Sequence, residues 1–211
     1  MDDSSTEILG LEEDDETAGQ IFKRLTTAWV NEKCCPDLLK NQNDLVDCMM
    51  DQIKQMEENL KGLSHEDFLV VPHRMEIDRI RYVISSYLRT RLEKIESYTF
   101  FLLKRDRSIP NEDDRYMSRA EFQFAEQYLE SIKSHFHEEA SKHTSTLLNS
   151  FHGIDVEVRP DMRSIVTLKV LRSVEGVLIN GTPVNLEVDA YHMLPFNDVR
   201  NLIDSGIAVC V

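Results

Sequence analysis

Three residues near position 140 have the types and the spacing of metal ligands. In "SHFHEEASKH", His135, Glu139 and His143 recur every four residues, which places two imidazoles and one carboxylate on one helix face. Zinc accepts such nitrogen and oxygen ligands, but it holds them in a tetrahedron. Three ligands in a line along one helix splay too far apart to share that geometry, so a metal would need a ligand from elsewhere. We therefore predict a solvated helix face and no metal site.

Clustered carboxylates are the next candidates, because acid–base catalysis uses them in pairs. They are Glu57 and Glu58 in "QMEENL" and the run Glu112, Asp113, Asp114. General acid–base catalysis needs an enclosed pocket that shifts the pKa of such groups, whereas these groups lie on a helix flank and in a hydrophilic loop. The motifs GxxxxGK[ST], GxGxxG, HExxH and GxSxG do not occur. The sequence predicts no catalytic residue and no cofactor.

The four cysteines also lack a pattern that predicts chemistry. Cys34, Cys35, Cys48 and Cys210 form no CxxC pair and have no metal-binding spacing. Adjacent cysteines such as Cys34 and Cys35 do not readily bridge each other. Free thiols in a reducing, intracellular compartment are the simplest interpretation.

The segment "RIRYVISSYLRTRLEKIE" carries arginine on an apolar helix face. At 100° per residue, one broad apolar face of this helix, extended a few residues in both directions, contains Ile77, Ile80, Val83, Ile84, Tyr87, Leu88, Leu92, Ile95 and Tyr98. Arg91 falls near the middle of this face, and Arg74 and Arg81 lie along one edge. A guanidinium keeps its proton, so burying it requires carboxylate or carbonyl partners. Arginine among apolar and aromatic residues is also typical of protein–protein interfaces. We expect this face to pack against neighbouring helices or another protein.

The charge balance of the 211-residue chain excludes some partners. There are 38 Asp and Glu against 24 Lys and Arg, a formal charge of −14. Affinity for nucleic acid comes from neutralising phosphates with cations, so autonomous binding to DNA is disfavoured. Anionic membrane surfaces are disfavoured for the same reason, and no apolar run is long enough to span a membrane.

The acidic residues are concentrated at the N-terminus. Residues 2–16 contain eight acidic side chains and no Lys or Arg, which predicts a disordered tail over residues 1–16. Ile8, Leu9 and Leu11 form a small apolar island within it. This island is either incidental or a short recognition helix that folds in a partner's groove.

Helical periodicity dominates residues 17–150, and β-type composition dominates residues 151–211. We expect one helix ending near "CCPD", a second ending near Gly62, a third of about thirty residues after Pro72, and a fourth capped by "SRAE". Glycine and β-branched residues then become frequent, predicting a strand in "SIVTLKVLRSV", a hairpin in "VLINGTPVNLEV", a short helix in "PFNDVRNLIDSG" and a final strand in "IAVCV". The predicted fold class is mainly α, a helical-bundle A domain followed by a small β-rich B domain. About sixty residues of short strands are marginal alone, so the B domain should dock on the helices or on another chain.

Four segments taken together resemble a known family. "AWVNEKCCPDLL", "MMDQIKQMEENL", "MEIDRIRYVISSYLRTRLEKIE" and "YHMLPFNDVRNLIDSGIAVCV" occur in the order found in the Sld-five type subunit of the GINS complex, a eukaryotic DNA-replication assembly. The resemblance covers about residues 17–211. It implies a non-catalytic, nuclear subunit of a heterotetramer with three sister GINS subunits, which joins the MCM ring in the replicative helicase. It also implies that the N-terminal tail docks on a replisome hub protein.

The resemblance turns the arginine-bearing face into an expected partner interface. Its members are Trp29, Arg74, Ile77, Arg81, Ile84, Tyr87, Leu88, Arg91 and Ile95. Within the tail, Ile8, Leu9 and Leu11 would form the hub-binding peptide. The alternative function is a free-standing helical adaptor with an acidic recognition tail, which would be a monodisperse monomer when expressed alone.

Overall fold

The computed structural model describes residues 17–62, 68–111, 114–139 and 157–211. Outside this part lie the acidic tail with Ile8, Leu9 and Leu11, the candidate ligand His143, and the expected domain boundary near residue 150. The described residues form six helices: α1 (Ala18–Cys34), α2 (Asn43–Lys61), α3 (Val70–Ser97), α4 (Thr99–Arg107), α5 (Arg119–Glu139) and α6 (Phe196–Asp204). Helices followed by a small strand-rich part confirm the predicted fold class.

Two of the six helices, α1 and α5, begin at side-chain caps. The predicted "SRAE" capping box is confirmed: Ser118 Oγ accepts from the Glu121 N–H at 3.2 Å, and Glu121 Oε2 accepts from the Ser118 N–H at 2.8 Å. A second capping box, which we did not predict, joins Thr17 and Gln20 at the start of α1. Such caps satisfy the free N–H groups of the first turn.

The long third helix differs at both ends from the expectation. It begins at Val70, before Pro72, because a proline in the first turn lacks only an N–H that would have no partner inside the helix. It ends at Ser97, since Tyr98 leaves the helical conformation (φ −121°, ψ 26°) and the short α4 starts at the next residue. The predicted thirty-residue helix is therefore one of 28 residues and a separate short helix.

The predicted apolar stripes pack into two helical cores. The first joins α1, α2 and α3 through Phe22, Leu25, Leu45, Val46, Met49, Ile53, Ile77, Ile80, Val83, Ile84 and Tyr87. The second lies among α3, α4 and α5 and contains Leu38, Ile95, Leu102, Leu103, Met117 and Ala125. No helix in the described part of the chain is long and apolar enough to cross a membrane.

Five strands make two antiparallel sheets in the C-terminal module, by which we mean residues 157–211. They are β1 (Ile165–Val170), β2 (Val174–Ile179), β3 (Thr182–Leu186), β4 (Tyr191–Pro195) and β5 (Ala208–Cys210). One sheet has the order β4-β1-β5, and β2 pairs with β3. The predicted hairpin turn is confirmed at Asn180 (φ 49°) and Gly181 (φ 82°), the positive φ angles that a tight two-residue turn needs. β4 was not predicted.

The core of the C-terminal module includes residues from the loop after α1. Cys35 and Leu39 pack into the same apolar cluster as Phe196, Val199 and Ala208. The module therefore docks on its own helices, one of the two possibilities that its small size left open. Two side chains supplied by the helical part help to complete a core that sixty residues would fill poorly.

Candidate partner interface

The structure divides the nine residues of the expected interface between the interior and the surface. Arg74 and Arg81 are exposed. Half-buried positions are occupied by Trp29 and Leu88. The buried members are Ile77, Ile84, Tyr87, Arg91 and Ile95. These five pack on helices of their own chain, so a partner can reach only the other four members of the predicted interface at the surface.

Arg91 has 0% exposure and uses every hydrogen-bond donor of its guanidinium. Nε and Nη2 donate to the two carboxylate oxygens of Glu121 at 2.7 and 3.0 Å, and Nη1 donates to Glu32 Oε2 at 3.0 Å. The remaining two N–H groups donate to the main-chain oxygens of Leu39 at 2.9 Å and Tyr116 at 2.8 Å. A single side chain thus joins α3 to α1, to α5 and to the two loops that flank them.

The buried charges around Arg91 are balanced. Lys94 Nζ donates to Glu32 Oε1 at 2.7 Å, so two cations face two carboxylates. Burial raises the pKa of Glu121, but the hydrogen bonds and the charge of Arg91 outweigh burial and leave that pKa lowered. Burial also lowers the pKa of Arg91, and Glu121 more than reverses that effect. Both groups therefore stay ionised in the interior.

A second ion cluster connects the helices to the C-terminal module. Asp37 is fully buried, and its Oδ2 accepts a hydrogen bond from Arg105 Nη1 of α4 at 2.8 Å and forms an ion pair with Arg200 Nη1 of α6 at 2.9 Å. The Tyr116 ring lies 3.9 Å from the Arg105 guanidinium and 4.9 Å from that of Arg200. Sequence reasoning missed this cluster, because Asp37 in "CCPDLL" stood out only as part of a helix stop.

The exposed side of α3 carries an apolar stripe that sequence reasoning also missed. Val71, Met75 and Tyr82 are 63–67% exposed and lie at positions i, i+4 and i+11, which share one helix face. Arg74 is exposed beside this stripe. We call Val71, Met75 and Tyr82 the α3 stripe. A helical wheel could have found it, since these residues lie opposite the core positions of the same helix.

Trp29 of α1 packs against one member of the α3 stripe. The Trp29 ring meets Tyr82 edge to face with 6.0 Å between ring centroids, and its indole N–H donates to Ser86 Oγ at 2.9 Å. On the α2 side, Arg81 forms an ion pair with Glu57 across a groove of about 550 Å³. Apolar side chains with arginine at their margin have the composition of a protein-binding surface.

The described residues hold no group of three or more His, Cys, Asp or Glu placed to bind a metal. His135 and Glu139 lie exposed near the end of α5. Of the candidate carboxylates, Glu57 pairs with Arg81, and Asp114 lies 3.8 Å from Lys40 at the surface. Glu112 and Asp113 lie outside the described residues.

Comparison with known proteins identifies the family. Residues 41–140, which span α2 to α5, match the model of the GINS complex protein helical bundle domain of Sld5. The chain is 35% identical to a rat (Rattus norvegicus) protein and 34% identical to a human (Homo sapiens) one, each over 197 residues that cover 90% of this chain and 88% of the relative. It is 31% identical to a Xenopus laevis protein over 93% of both chains. All three relatives are named DNA replication complex GINS protein SLD5. The chain belongs to the SLD5 family of DNA replication complex GINS proteins.

Proposed function

We propose that this chain is a non-catalytic structural subunit of a GINS heterotetramer that works within the replicative helicase, where it supports initiation and elongation of DNA replication in the nucleus. The observation that carries the proposal is the identity of 34–35% with GINS SLD5 proteins over nine-tenths of the chain. Identity spread over that length covers the helices and the C-terminal module together. We further propose the division into tail, A domain and B domain at residues 1–16, 17–150 and 151–211.

The structure supports a scaffold role through two features of the helical part. Ion pairs of the buried Arg91 join α3 to α1 and α5, and ion pairs of the buried Asp37 join the loop after α1 to α4 and α6. These contacts hold the helices in place relative to one another. The α3 stripe then presents apolar side chains in one line on a fixed helix. In this proposal a sister subunit covers the α3 stripe and Arg74, and arginine at the margin contributes oriented hydrogen bonds.

The charge of the chain supports contact with DNA through partners rather than directly. A formal charge of −14 opposes autonomous phosphate binding. The heterotetramer therefore reaches DNA through the MCM ring. Within the tail, Ile8, Leu9 and Leu11 are proposed to dock on a replisome hub protein.

A double substitution in the α3 stripe tests the proposed interface. Met75→Glu with Tyr82→Glu places two charges on the surface that a sister subunit would cover, and buried unpaired charges are costly. When the four subunits are co-expressed and purified through a tag on a sister subunit, we expect at least a tenfold lower recovery of the variant chain. Recovery equal to that of the unsubstituted chain would contradict the interface.

The matched control carries a charge at another exposed apolar position. Leu178→Glu lies in β2, and Leu178 is exposed to nearly the same extent as Met75 and Tyr82. We expect full recovery of this control. If both variants are lost equally, a general effect of added charge is responsible and the α3 stripe has no special role.

A further inference from the structure

Two buried thiols meet where the last strand packs on the end of the first helix. Cys35 immediately follows α1, and Cys210 is the last residue of β5. Their Sγ atoms are 3.6 Å apart, and the residues are 3% and 1% exposed. Both are free thiols. A contact between cysteines 175 positions apart in the sequence is set by the packing of the two parts of the chain.

One residue holds the backbones of both cysteines. The Cys210 N–H donates to the side-chain oxygen of Asn31 at 2.8 Å, and the Cys35 N–H donates to the main-chain oxygen of Asn31 at 3.0 Å. Asp37, two residues after Cys35, forms an ion pair with Arg200 of α6, so the same two parts of the chain are also joined there. A disulfide bond is about 2.05 Å long, so the sulfurs must approach by about 1.5 Å to form one.

The two thiols share one hydrogen bond, in which either sulfur can be the donor. Hydrogen bonding to Cys210 and burial raise the pKa of the Cys35 thiol. Accepting that hydrogen bond lowers the pKa of Cys210, although burial opposes the change. The thiolate is the reactive form of a cysteine, and the contact between the two sulfurs places each within reach of the other once one of them is oxidised.

We propose that Cys35 and Cys210 are a redox-sensitive pair, and that hydrogen peroxide converts them into a disulfide that joins the C-terminal module to the helices. One of the two thiolates attacks an oxygen of hydrogen peroxide, the O–O bond breaks, and that cysteine becomes a sulfenic acid. The other peroxide oxygen leaves as hydroxide, which takes up the thiol proton to form water. The sulfur of the other cysteine then attacks the sulfenic sulfur, the S–O bond breaks, and a second water leaves. The two thiols lose two electrons and two protons, and the peroxide is reduced to two molecules of water.

The other two cysteines provide internal controls. Cys34 and Cys48 are exposed, so a surface oxidation reaction would modify them first. Cys34 is adjacent in sequence to Cys35. Substituting Cys34 therefore tests whether Cys210 forms its disulfide with the buried Cys35 or with the neighbouring exposed thiol. Of the other three cysteines, Cys35 alone packs in the same buried core as Cys210, so the proposed disulfide requires Cys35.

The test is peptide mapping of the full-length chain, purified in its native assembly and treated with hydrogen peroxide. After free thiols are blocked, trypsin releases residues 34–40 and 201–211 as separate peptides. We expect these peptides to be joined by a disulfide in the unsubstituted chain and in Cys34→Ser, and to separate on reduction. The joined peptides should be absent in Cys35→Ser and Cys210→Ser.

Two results would overturn the proposal, and the first of them needs no variant. One is recovery of both peptides separately from the oxidised unsubstituted chain, and the other is a linked pair that persists in Cys35→Ser through Cys34. Thermal unfolding of the oxidised and reduced unsubstituted assemblies supplies an independent readout. A disulfide closing a long loop stabilises chiefly by restricting the unfolded chain, so we expect the melting temperature of this chain to rise by several degrees on oxidation. A disulfide without such a rise would show that the bond does not clamp the two parts.

Discussion

Arg91 shows how one side chain can be both permanently charged and fully buried. The sequence required carboxylate or carbonyl partners for it, and the structure supplies Glu121, Glu32 and two main-chain oxygens. The pattern could not identify those partners, because Glu32 is 59 residues away and Glu121 is 30 residues away. Helical periodicity defines a face, but the residue that meets the face depends on how distant segments pack.

Arg91→Ala should destabilise the chain strongly. Its removal leaves Glu121 without its bidentate partner, and breaking a buried pair typically costs about 3–5 kcal/mol. We expect the free energy of unfolding to fall by that amount in chemical denaturation, and recovery of the assembly with the sister subunits to fall with it. Arg89→Ala, at an exposed position two residues earlier, is the control and should change stability by less than about 0.5 kcal/mol. Unchanged stability in Arg91→Ala would contradict the account.

Glu121 predicts a specific loss of stability in acid. Although burial raises its pKa, Arg91 lowers that pKa below the value in the unfolded chain, which is about 4.3. A carboxyl with a lowered pKa contributes its full stability above the unfolded value and loses it as the pH falls through the folded value. As the pH falls from about 4.3 to the lower pKa of Glu121 in the folded chain, the Glu121→Gln variant should therefore lose less stability than the unsubstituted chain. Parallel stability curves for the two proteins across this window would contradict the assignment.

At the scale of elements, local signals were sufficient where each element carries its own cap or turn. "SRAE" placed the start of α5, and Asn180-Gly181 placed the turn between β2 and β3. β4 was missed because "YHMLP" is short, lies at a sheet edge and has no fully buried residue, so its alternation is faint. The break at Tyr98 was missed because no glycine or proline marks it.

The contact of α4 and α6 with Asp37 is an element-scale test. Asp37→Asn removes the charge that Arg105 and Arg200 share, and hydrogen bonds to charged groups are worth about 1.5–3 kcal/mol. We expect faster hydrogen exchange in α6, measured by mass spectrometry, with little change in α2. The control is Asp47→Asn, an exposed position on α2 that should leave both helices unchanged. If α6 exchanged its amide hydrogens equally fast in the two variants, Asp37 would not be the residue that holds α6 in place.

At the scale of the whole molecule, the sequence left open what the small C-terminal module packs against. Composition indicated that it needs a support, and the structure shows Cys35 and Leu39 of the helical part within its core. The packing of the module on its own helices depends on contacts such as that of Asn31 with Cys210, which are 179 residues apart and leave no periodic pattern in the sequence. The α3 stripe was missed for another reason: it lies on the outward face of a helix whose inward face is more apolar and carries the stronger periodic signal.

Sedimentation of the co-expressed subunits is the sharpest test of the proposal that this chain functions as one member of a four-subunit assembly. The full chain and its three sister subunits are co-expressed, purified through a tag on one sister, and studied by analytical ultracentrifugation with native mass spectrometry. We expect a single species that contains one copy of each subunit. If the chain sediments as a compact, soluble monomer and none of its sisters co-purifies, the account is contradicted and the free-standing adaptor takes its place.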